Sequence, residues 1–137
     1  MKVKRCSTVF SLFVFCSMMF MLTAYAGESF DELVRALQSK KITQIKLKEV
    51  EAKYAGNNIE GRAYILNIGE DASGTKVVTM CTEKEPDDPK AVTIVVYVRK
   101  GFASNLSQFK PGDRRYCFGP FKEIRMHTIV IEGGFVK

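Results

Sequence analysis

The sequence predicts a mainly β fold: a small five-stranded Greek-key barrel with one N-terminal helix and a short helix between its third and fourth strands. Two observations carry this. From Asn58 onward, β-branched and aromatic runs of strand length alternate with clusters of Gly, Pro, Asp and Ser. Within them, Phe109–Phe121 (FKPGDRRYCFGPF) reads as a turn at Lys110-Pro111-Gly112-Asp113 that launches a strand into Gly119, where the strand must bend.

Taken in order, residues 27–40 read as a helix. Ser29 is placed to cap it, with Glu32 three residues on as capping-box partner. Phe30, Leu33, Val34 and Leu37 then fall on one apolar face, expected to pack on the barrel. Residues 42–54 are ambiguous. Ile45-Lys46-Leu47 alternates like a short strand, and 47–54 fits a helical turn or two before the Ala55-Gly56-Asn57-Asn58 break. The five expected strands are 59–68, 75–82, 91–99, 114–121 and 128–136. Gly61 in the first marks a bulge or a close approach. The third, AVTIVVYVR, is apolar nearly throughout and is expected to be central or to face apolar surface on both sides. Residues 101–109 hold the short helix, with Phe102, Leu106 and Phe109 as its buried positions, and Gly133-Gly134 interrupts the fifth strand.

Residues 1–26 stand apart. Lys2, Lys4 and Arg5 precede an apolar run from Val9 to Leu22 that ends in Ala24-Tyr25-Ala26, the small-x-small pattern of a signal-peptide cleavage site. Cleavage after Ala26 and a periplasmic or secreted location are the expectation. The alternative is an uncleaved anchor, since the run approaches the ~18 apolar residues of a span. Neither Cys6 nor Cys16 sits in a lipoprotein-type box. The organisation expected is therefore a leader at 1–26, a lead-in at 27–57 and a barrel at 58–137.

The 137-residue chain has 21 basic and 15 acidic residues; three of the basic ones and none of the acidic ones lie in the leader, so the remainder carries +3 with His127 neutral. That mild bias does not demand a polyanionic partner. Two of four cysteines remain after the leader, Cys81 and Cys117. In an oxidising compartment an even pair reads first as a disulfide. The expected architecture places their strands on either side of the first, which stretches a bridge's reach, and free cysteine is an ordinary buried residue. Both readings stand.

The run from Lys110 to Gly119 and the strand–helix order resemble the oligonucleotide/oligosaccharide-binding (OB) barrel, which often shows a lysine-x-glycine-aspartate turn followed by alternating apolar residues and glycine. More narrowly, Tyr54-Ala55-Gly56 and Gly61-Arg62-Ala63 are similar to the exported tRNA-anticodon-binding-like OB family, where a helix precedes a tyrosine-x-glycine stretch and a glycine-x-alanine first strand. Arg115 departs from that family by standing where an apolar inward residue is usual.

No catalytic constellation emerges. His127 is the lone histidine and no nucleophile elbow surrounds a serine. Two cysteines and one histidine at these spacings do not make a zinc site, and Glu83, Glu85, Asp87 and Asp88 lack the spacing of a calcium loop. Arg114, Arg115 and Arg125 have no paired acidic motif beside them, which argues against a nuclease. Neither metal nor cofactor is expected. What remains is binding. OB barrels use the face of their second and third strands with the adjoining loops. The candidates are Tyr64, Tyr97, Arg99, Lys100, Phe102, Arg114, Tyr116, Phe118 and Arg125, aromatic platforms and cations of the kind that ligand grooves employ. The expected function is a non-catalytic extracytoplasmic binding or adaptor module for a protein, glycan or small molecule. Single-stranded nucleic acid is the alternative, a secreted nuclease a distant third, and membrane contact arises only through an uncleaved leader.

Overall fold

The computed structural model describes residues 27–137; the leader, its cleavage site, Cys6 and Cys16 lie outside them. The elements are β1 (Glu28–Ser29), α1 (Asp31–Gln38), α2 (Gln44–Tyr54), β2 (Asn58–Glu70), β3 (Lys76–Cys81), β4 (Thr93–Val98), a 3-10 helix (Lys100–Gln108), β5 (Arg114–Arg125) and β6 (Thr128–Val136). The sheet runs β1-β2-β3-β4-β6-β5 and closes on itself where β5 pairs back with β2. All neighbours in the closed ring are antiparallel except β4 and β6, which are parallel. This is an OB-like five-stranded barrel. Among the described residues no helix is long and apolar enough to cross a membrane.

Alternation sorts the side chains of each strand. Ile59, Ala63 and Ile65 of β2, Val78 and Met80 of β3, Ile94 and Val96 of β4, Phe121 of β5 and Ile129 and Ile131 of β6 fill the interior, each at most 2% exposed. Of the two alternatives for β4, a central strand holds, between β3 and β6, and apolar surface on both sides does not: Ile94, Val96 and Val98 are buried, whereas Thr93, Val95 and Tyr97 are only half-buried on the outer surface. Its outer valine reflects β propensity on a pleated surface rather than a second core.

The lead-in segment is built into this core. Phe30, Leu33 and Val34 are buried as the helical spacing predicts. Residues 28–29, in the segment expected to open the helix with Ser29 as its cap, instead form a parallel strand against Ile59 and Glu60, and the Ser29 hydroxyl accepts from the Asp31 amide. Glu32 does not close a capping box. Its carboxylate accepts from Lys53 and from the Tyr54 hydroxyl, which ties α1 to α2 and lowers its pKa. The ambiguous 42–54 region is helical, capped by the Thr43 hydroxyl accepting from the Lys46 amide, and Ile45 is 74% exposed rather than part of a strand. Phe30 explains Gly61: a Cβ there would sit 2.2 Å from the Phe30 ring. The glycine leaves a flat place on β2 for that ring.

The 3-10 helix buries Leu106 and half-buries Phe109, but Phe102 is 42% exposed, against expectation, because its ring turns outward onto Phe135. The fourth strand runs past Phe121 to Arg125. Gly119 and Gly134 let β5 and β6 close up at this point, since a Cβ on Gly119 would lie 2.5 Å from the Gly134 Cα. Arg115, opposite the buried Ala63, occupies an inward-phase position. Its guanidinium lies over the Phe109 ring at 4.5 Å and 3.6 Å from the Asp113 carboxylate, so a cation–π contact replaces the apolar packing expected there.

No bridge joins Cys81 and Cys117; both are free and buried. Cys81 pairs with the outward Tyr64 and Cys117 with the inward-phase Gly61, so the two thiols leave opposite faces of the sheet. Strand phase forbids what spacing along the chain left open.

Phe30→Ala and Gly61→Ala are each expected to cost roughly 2–4 kcal/mol of stability in urea denaturation, the first by cavity formation and the second by collision. The double variant should lose clearly less than the sum, because the ring that the new methyl strikes is gone. Strict additivity would show that Phe30 and Gly61 are not coupled.

Candidate functional surfaces

The structure divides the predicted site residues between two surfaces. The expected one, the outer face of β3 and β4 with the adjoining loops, receives Tyr97 and Arg125. They line a concavity of about 340 Å³ between the turn 71–75, the end of β4 and the β5–β6 hairpin. Asp71 on its edge is engaged by its own turn. One of its oxygens accepts from the Ser73 amide and hydroxyl and from the Thr75 amide, which lowers the carboxyl's pKa. Lys122 is paired with Glu132 and Arg125 with Glu123. Both charge signs therefore meet in the groove, and Tyr97 is its one aromatic wall. Sequence reading missed Thr75, Lys122 and Glu132; only the pairing of β5 with β6 brings the last two together.

The hairpin tip beside this groove is unusual. Met126 and His127 take φ values of 49° and 60°, a left-handed turn normally given to Asn-Gly, and Met126 is 93% exposed. His127 is exposed in this turn.

Most of the other candidates lie on the outer surface of β2, β5 and β6. Cross-strand register sets them in rows: Glu60–Phe118–Phe135, then Arg62–Tyr116–Lys137, then Tyr64–Arg114. The Phe118 and Phe135 rings are 5.2 Å apart, Phe135 and Phe102 5.1 Å, and Tyr116 and Phe135 6.3 Å. The Arg114 guanidinium stands 5.9 Å from the Tyr64 ring centre. Tyr116 donates to the Glu60 carboxylate, and burial together with that acceptor pushes its phenol up to about 12. Arg99 and Lys100 are exposed at the start of the 3-10 helix, where Lys100 lines a hollow with Ser73, Gly74, Thr75 and Ala103, away from the other candidates. Phe135, at the centre of the aromatic group, was not singled out from sequence. Its neighbour Gly134 made the segment read as an interruption, although its outward phase on the last strand was a usable signal. Among the described residues no group of three or more His, Cys, Asp or Glu could hold a metal ion.

No family model and no curated relative matches the sequence. Among solved structures, a lipoprotein from Klebsiella pneumoniae, described there as a proposed nucleic acid-binding protein, aligns over 85% of this chain and 95% of its own, with a TM-score of 0.56 and 11% identity. The Plasmodium falciparum SSB in complex with ssDNA aligns over 58% of this chain and 91% of its own, with a TM-score of 0.37 and 17% identity. The first likeness is one of fold; the second is too loose to support anything further.

Two measurements check the local geometry. Burial also pushes the Cys117 thiol up to about 12. Both groups keep their protons in the folded state above the ordinary values of 9.0 and 10.0, so stability should hold below pH 9 and fall as pH rises toward 12. Cys117→Ala should reduce that fall from pH 9 upward and Tyr116→Phe from pH 10 upward. At the hairpin tip, replacing Met126 with Asn and His127 with Gly together should raise stability by about 1–2 kcal/mol in chemical denaturation by relieving left-handed strain.

Proposed function

We propose that this protein is an exported, non-catalytic OB-fold binding module whose groove at Tyr97 receives a protein segment, a glycan or another small polar ligand. One observation carries the reading. The concavity offers a single aromatic platform with cations and carboxylates on the same walls, Lys122 paired with Glu132, Asp71 on the edge, and Arg125, itself paired with Glu123 outside the lining. Such a lining suits a short ligand bearing donors and acceptors. A polyanion would meet the carboxylates as well as the cations. The leader-like residues 1–26 support export, and the likeness of Tyr54-Ala55-Gly56 and Gly61-Arg62-Ala63 to the tRNA-anticodon-binding-like group supports the narrower family placement.

Single-stranded nucleic acid is the second reading, favoured by the description of the Klebsiella lipoprotein, whose fold this chain shares. The two readings separate by nuclear magnetic resonance. Titration with short oligosaccharides and peptides should shift amide signals of Thr75, Tyr97 and Glu132, and Tyr97→Ala should weaken that binding roughly tenfold or more. A groove that responds to oligonucleotide alone would transfer it to the second reading.

A further inference from the structure

The net charge of the chain conceals how the cations are distributed. On the outer β2–β5–β6 surface, Arg62 and Lys137 flank Tyr116 on either side, and Arg114 continues that surface along β5. Among the described residues none of these three cations belongs to an ion pair, unlike Lys122 and Arg125 in the groove. Among the described residues the carboxylate in these rows is Glu60, which already accepts from Tyr116. Between the cations lies a continuous set of rings, Tyr116, Phe118, Phe135 and Phe102, with neighbouring centroids 5.1–6.3 Å apart.

From this arrangement we infer that the outer face of β2, β5 and β6 is a second binding surface, separate from the groove, and that its ligand is single-stranded nucleic acid. The chemistry of the face selects the class. Bases stack on aromatic rings whatever their sequence, and the phosphates that follow them need unpaired cations alongside. Successive rows on one sheet face are about 7 Å apart, so rings and cations recur along the strands at intervals an extended backbone can follow. A lipid surface is a poorer match. Tyr116, Phe118 and Phe135 are half-buried among sheet neighbours, and only Phe102 stands out from the face. Joined with the groove reading, this surface makes the protein an adaptor that holds a strand on one side and another ligand on the other.

The test uses protein produced from the full-length chain and a fluorescent oligothymidylate of about 12 nucleotides, within the range of known site sizes. Anisotropy titrations are run from low to physiological salt. Affinity should fall linearly on logarithmic axes as salt rises, and Arg62→Ala or Arg114→Ala should each reduce the slope by about 0.7. Phe102→Ala, at an exposed position that leaves the core intact, should weaken binding at fixed salt about 5- to 100-fold. Tyr97→Ala should leave it unchanged. Failure to bind at low salt overturns the inference. So does binding that Tyr97→Ala abolishes while Phe102→Ala spares, which would place the strand in the groove. Equal competition by inorganic polyphosphate would reduce the face to a charge patch and also overturn it. Flotation with phosphatidylglycerol vesicles at physiological salt, without oligonucleotide binding, would assign the face to membrane instead. Because the groove ligand is read from separate residues, either surface can fail alone.

Discussion

The structure depends on β2 serving two partners. Its first half, from Asn58 to Tyr64, pairs with β5, and its second half, from Tyr64 to Glu70, pairs with β3, with an irregularity between Ile65 and Asn67 where the pairing shifts register. A strand that pairs with both neighbours must curve, and that curvature closes the sheet and removes its exposed edges. Closure then needs β5 and β6 to approach closely at Gly119 and Gly134, where any side chain would strike backbone. The parallel β4–β6 pairing completes the ring. Each step rests on a residue without a Cβ or on a local break in register.

Closure also decides what each side chain can do. Once β2 is fixed between β3 and β5, inward and outward phases are set for the whole ring. Cys117 points into the barrel and Cys81, also buried, to the other face of the sheet, and the two are free. Arg115 falls on an inward phase and is accommodated by stacking on Phe109 beneath the 3-10 helix. The Tyr54–Glu32–Lys53 contacts hold the two lead-in helices to each other, while Tyr54 meets Phe121 edge-on, so the helices and the barrel share one core.

The two surfaces differ in the state of their charges more than in their number. In the groove, cations face carboxylates across short distances, and exposed pairs of this kind add little stability while reducing the field available to a polyanion. On the outer β2–β5–β6 face, cations stand beside rings and bonded tyrosine instead. The net charge of +3 over residues 27–137 averages these environments and hides the difference. For a small barrel, the distribution of charge over its faces is the quantity that bears on partners.

Much of this was written in local sequence. Alternation gave the five strands, 3.6-residue spacing gave the apolar face of α1, and Gly61 marked a bulge or close approach, because these signals act over a few residues; that Gly119 and Gly134, read as a bend and a break, are also places of close approach is set by the β5–β6 pairing. Boundaries drifted where a tertiary contact competed: Glu28–Ser29 joined the sheet, and Glu32 left its cap for Tyr54. The binding residues were recognisable by type, since few positions of a small barrel are both aromatic or cationic and outward. Which of them share a surface was not. Tyr116, Phe118 and Phe135 meet through the β5–β6 register, and Phe102 joins them only when the 3-10 helix folds back over β6. Pairing between distant strands sets that geometry, and only the closed barrel fixes it.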